Sequence, residues 1–114
     1  QVIAKRQFGR DPRVTFQTID GTAFILEQHK AGARFDFIFA DTWPGKFTEL
    51  DETLQLLRHG GLYIIDDMLP QANWPADHAP KVAALLATLA QHTALRTTQL
   101  DWASGIVMAT KIRE

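Results

Sequence analysis

FDFIFAD (Phe35–Asp41) and GGLYIIDD (Gly60–Asp67) decide the fold of this chain. Phe35 to Ala40 is apolar except for Asp36, which favours a parallel strand covered on both faces over a half-exposed antiparallel one. Leu62 to Ile65 reads the same way. Both strands run into carboxylates: Asp41 after the first, Asp66 and Asp67 after the second. In open α/β sheets ligands bind in the crevice outside the carboxyl ends of the strands, so these acids mark a candidate site.

Between the two strands, Leu50, Leu54 and Leu57 follow helical spacing from about Thr48. Glu49, Asp51 and Glu52 crowd the expected first turn, Arg58 and His59 the last, and Gly60 supplies a stop. A strand, helix, strand unit with a right-handed crossover follows.

Working outward, residues 1 to about 8 read as the end of an amphipathic helix. Gly9, Asp11 and Pro12 break it, and VTFQTI (Val14–Ile19) alternates as a strand ending in the Asp20-Gly21 turn. Thr22 to about Lys30 reads as a short helix. On the other side, MLPQANWPADHAP holds three prolines and is expected to form an irregular loop over the strand ends. Pro80 suits the first turn of a last helix with Val82, Leu85, Leu86 and Leu89 on its buried face. Leu95–Leu100 and Gly105–Ile112 close the chain as an antiparallel hairpin.

Composition narrows the function classes. The 114 residues, 46% hydrophobic, suit one domain with a modest core. A formal net charge of −1 offers no basic footprint for nucleic acid and no polybasic segment for a membrane surface. No apolar run is long enough to span a bilayer, and with no cysteine the expectation is a cytoplasmic protein without thiolate chemistry.

The order helix, strand, helix, strand, helix, strand, helix, hairpin resembles the later part of a class I S-adenosylmethionine-dependent methyltransferase. FDFIFADTWPGKF followed by LLRHGGLYIIDDMLPQANWP is similar to the catechol-type branch that methylates small-molecule hydroxyls. The implied fold class is α/β: a Rossmann-like, mostly parallel sheet ending in an antiparallel hairpin, forming one partial domain over residues 1–114. The family's glycine-rich cofactor loop has no counterpart among the seven glycines, so the resemblance implies an N-terminally truncated member, weak or inactive alone. It also implies open strand edges beside Val14–Ile19 and Phe35–Ala40 and hence a homo-oligomer.

The resemblance carries site roles onto particular residues. Asp20 and Gly21 match the position that meets the adenine ring, against the plain reading of an Asp-Gly turn. Asp41 matches an acid that binds a divalent metal beside the methyl acceptor, against a capping role. Asp66 and Asp67 match an Asp-Asn pair of further metal ligands. Here the second residue is a carboxylate, and both side chains reach one site only if the strand has already bent. Three acids without a histidine suit Mg²⁺ or Ca²⁺ but form no stand-alone motif. Lys46 is a candidate base, against an exposed lysine at a helix start. Trp43 and Trp74 flank the crevice and are candidates for stacking on adenine or an aromatic acceptor. His29, His59 and His92 read as helix-end residues, and His78 lies in the loop over the strand ends. The competing classes are a non-catalytic assembly module pairing through exposed sheet edges and a nicotinamide-dependent enzyme, whose phosphate-binding loop is also missing.

Overall fold

A computed structural model describes residues 1–114. Four helices, α1 (Val2–Phe8), α2 (Gly21–Lys30), α3 (Leu50–Leu56) and α4 (His78–Gln91), accompany four strands, β1 (Phe35–Ala40), β2 (Leu57–Ile65), β3 (Leu95–Leu100) and β4 (Ile106–Lys111). The strands form one sheet in the order β1-β2-β4-β3. β1 and β2 pair in parallel, with Ala40 opposite Ile65. β4 pairs antiparallel with both β2 and β3, Ile65 facing Val107 and Leu95 facing Lys111.

The strand, helix, strand unit and the closing hairpin form, but the expected strand at Val14–Ile19 does not. Those residues join no ladder, and only Phe16 among them is even half-buried. A strand needs a neighbour for its backbone groups, and this segment pairs with none. The sheet is therefore mixed, with a single parallel pair and the outer edge of β1 free. A second difference lies at the end of α3. The helix stops at Leu56, Leu57 is extended, and Arg58 and His59 belong to β2 rather than to a last helical turn. Gly60, at φ +83°, sits in an excursion of that strand, where the register jumps from Phe35↔Leu57 to Phe37↔Leu62.

One face of the sheet carries the core. Tyr63, Ile65, Val107 and Ala109 point from β2 and β4 into a cluster completed by Leu54 of α3 and by Val82, Leu85 and Leu89 of α4. Burying these side chains removes apolar area from water, the dominant favourable contribution to folding. The Lys111 ammonium is also buried here, donating to the carbonyls of Leu54 (3.0 Å) and Leu57 (2.9 Å) and so satisfying the open end of α3. α1 buries no residue. No helix is long and apolar enough to cross a membrane.

Candidate functional site

The site lies at the carboxyl ends of β1 and β2, and a bent backbone assembles it. After Ile65 the ladder ends, and Asp67 adopts the left-handed region at φ +59°, which Asp tolerates better than most residues. That turn removes the geometric objection to two neighbouring acids serving one site. Asp41, Asp66 and Asp67 each bring one carboxylate oxygen within 4.8 Å of the others. Ser104 Oγ accepts from the Asp67 amide at 3.3 Å, and the amides of Met68 and Leu69 donate to the carbonyls of Gly105 and Ser104, so the hairpin connection braces the bend.

The electrostatics of the cluster are strained. Asp66 Oδ1 is buried without a hydrogen-bond partner. Its carboxyl is held above the ordinary range, first by burial and then by the negative charges of Asp67 and Asp41, with Lys46 opposing. Lys46 is not the exposed helix-start residue of the plain reading. It is 4% exposed, and its Nζ donates to the Asp66 carbonyl at 2.6 Å. Burial lowers its pKa, while Asp66, Asp67 and Asp41 pull the other way.

The loop that carries Lys46 is stiff. The amides of Lys46, Phe47 and Thr48 all donate to the Trp43 carbonyl, and Gly45 N donates to Thr48 O at 2.7 Å. Gly45 has φ +86°, and a Cβ there would sit 3.3 Å from Thr53 Oγ1; the position therefore needs glycine. From below, the buried Tyr63 hydroxyl donates to the Gly45 carbonyl at 2.6 Å.

Two cavities meet at Asp41 and Thr42. One, about 470 Å³, is lined by the acids Asp41 and Asp67 together with Lys46, Trp43, Trp74 and His78. The His78 ring stands edge-on to Trp74 (4.7 Å), Phe47 (5.5 Å) and Trp43 (6.1 Å). The other, about 330 Å³, runs along the free edge of β1 past Gly21, Phe24 and Pro44. The four residues expected at a cofactor are thus divided. Gly21 and Asp41 line the β1 groove, whereas Trp43 lines the acidic cavity. Asp20 lines neither; it caps α2, its carboxylate accepting from Ala23 N at 3.1 Å. Gly21 packs tightly, since a Cβ there would meet Pro44 Cγ at 3.0 Å. The sequence reading missed Phe47, Gln71 and Asn73 as part of the cavity wall and left His78 without a role. The signal available was the ANWP stretch, whose polar and aromatic residues fall in the loop that crosses the strand ends.

No protein of curated function matches this sequence. Solved structures do match in fold. An O-methyltransferase from Bacillus cereus in complex with SAH has a TM-score of 0.78 at 22% identity, covering 96% of this chain and 57% of its own. SAH-bound Podospora anserina methyltransferase gives 0.71 at 18%, with 96% and 54% covered. Human methyltransferase-like protein 13 in complex with SAH gives 0.65 at 19%, with 98% and 56% covered. The chain therefore spans a little over half the length of the structures it matches. The O-methyltransferase family pattern extends over residues 2–112, and this chain, with its acids gathered at the ends of β1 and β2, belongs to the O-methyltransferase family.

Proposed function

We propose that this chain is the acceptor-side part of an S-adenosylmethionine-dependent O-methyltransferase that modifies a hydroxyl of a small molecule. The observation that carries the reading is the convergence of three carboxylates beside an aromatic-walled cavity in a member of this family. The donor set fits a hard divalent cation. Oxygens on opposite sides of one ion lie about 4.2 Å apart for Mg²⁺ and about 4.8 Å for Ca²⁺, and the three carboxylate oxygens here lie no more than 4.8 Å from one another. Asp66 Oδ1 is buried and accepts no hydrogen bond, which leaves it free to take a cation.

On this reading Asp41, Asp66 and Asp67 would hold Mg²⁺. Trp43, Phe47, Trp74 and His78 wall the acceptor and orient it. Asp20 and Gly21, at the start of α2, and Asp41, at the end of β1, are this chain's share of the donor site. Held by these acids, Mg²⁺ would supply the positive charge that makes an acceptor hydroxyl more acidic, and S-adenosylmethionine would supply the methyl group. Lys46 lines the same cavity beside the acids. The absence of cysteine fits a cytoplasmic setting.

Calorimetric titration with Mg²⁺, and with S-adenosylmethionine and its demethylated product in the presence and absence of Mg²⁺, tests the reading. Mg²⁺ binding that disappears in Asp66→Asn, together with ligand binding that Mg²⁺ strengthens, supports it. A folded chain that takes up neither metal nor ligand overturns it. The second reading, an assembly module in which a second copy covers the sheet, is favoured by the exposed Phe37 and Phe39 beside the free edge of β1. Concentration-dependent association in sedimentation, together with no ligand binding in the titration, would favour it over the first.

A further inference from the structure

We propose that Lys46 is a positioning residue that locks the Asp66–Asp67 bend to the loop after β1, rather than the base of the reaction; the proposal rests on the metal-site reading above. Two side-chain to backbone bonds of opposite sense join the loop to β2. Tyr63 Oη reaches from the strand to the Gly45 carbonyl, and Lys46 Nζ reaches from the loop to the Asp66 carbonyl, each at 2.6 Å. Both side chains are buried, so water competes little for either bond.

The placement explains why the second bond is needed. Regular pairing on both sides of β2 ends at Ile65, opposite Ala40 and Val107. The next hydrogen bonds downstream are those of the Asp67, Met68 and Leu69 amides to the hairpin connection. Asp66 lies between these two anchorages, at the point where the chain leaves the sheet. The Lys46 ammonium ties that point to a loop already fixed by the Trp43 carbonyl and by Gly45. The Lys46 nitrogen gives a hydrogen to Asp66 O at 2.6 Å, so the atom that a base would have to bring to the acceptor hydroxyl is held at the bend.

The test exploits opposite signs. If Lys46 were only a neighbouring charge, Lys46→Met would tighten divalent-metal binding by removing a repelling cation. If it is the lock, the same substitution loosens binding, because the ligands lose their support. Mn²⁺ titration of the full chain, following the electron paramagnetic resonance signal of free ion, is expected to show affinity about 10-fold or more weaker in Lys46→Met and largely restored in Lys46→Arg. Amide exchange by NMR supplies a readout independent of metal. Met68 and Leu69 are expected to exchange at least about 10-fold faster in Lys46→Met, as the loss of a charged hydrogen bond implies, while Val107 and Ala109 are unchanged. Equal or tighter Mn²⁺ binding with unaltered exchange overturns the proposal. Wild-type protein that ignores Mn²⁺ refutes the metal reading alone, and the exchange rates then decide the role of Lys46.

Discussion

The two faces of the sheet are built from similarly apolar side chains and have opposite fates. On one, Tyr63 and Ile65 are wholly buried beneath α3 and α4. On the other, Phe37 is 55% and Phe39 49% exposed, although each stands beside an apolar partner, Leu62 and Ile64 respectively, on the neighbouring strand. Residues that alternate along a strand point to opposite faces, so the contrast falls between adjacent positions of the same strands. Hydrophobicity does not decide which face is closed; the helices available to cover it do.

The largest test of this contrast is truncation on each face. Tyr63→Ala is expected to cost about 3–5 kcal/mol, as for other large aromatic deletions in a packed interior. Phe39→Ala is expected to cost below about 1 kcal/mol, the scale of a surface change. Urea unfolding of both variants measures the difference, and equal losses would erase the distinction between the faces. Next in size is association. Phe37→Glu with Phe39→Glu is expected to leave the urea midpoint nearly unchanged and to hold the chain monomeric at concentrations where the parent sediments as a larger species. A parent that is monomeric throughout removes the assembly reading.

A smaller effect separates packing from polar satisfaction on the closed face. Tyr63→Phe keeps the ring and loses the bond to Gly45, at a cost of about 1 kcal/mol. Burial raises the Tyr63 phenol well above its usual range. Folding thus favours the protonated form, and that contribution is complete below the unfolded value near pH 10 and lost as pH rises toward the folded one. Between pH 8 and pH 11 the parent should accordingly lose more stability than Tyr63→Phe, as urea midpoints will show. The smallest change is expected from Arg58→Ala. It breaks a 3.3 Å pair with Asp36 in which both side chains are largely exposed, and such pairs contribute about 0–1 kcal/mol.

Much of this was legible in the residues. The runs Phe35–Ala40 and Leu62–Ile65, the leucine spacing of α3 and α4 and the hairpin are local patterns, and local patterns survive when the surroundings change. VTFQTI was equally strand-like and yet forms none, because strand character is completed by a neighbour that no single segment contains. The acids at the strand ends were visible for the same reason that the strands were. The burial of Lys46 was not. Lysine is almost never fully buried without partners, and its partner here is a backbone carbonyl 20 residues away, which carries no side-chain signature.

The bend at Asp67 links backbone and chemistry in one choice of residue. At φ +59° the position admits glycine, asparagine or aspartate at little strain and resists β-branched or bulky side chains. Of those three, glycine offers no side-chain oxygen. Aspartate and asparagine both suit the bend and both offer an oxygen, and they differ by a single charge and little in shape. Exchanging one for the other at residue 67 is therefore a way to adjust the cluster's net charge by one without disturbing the path of the chain.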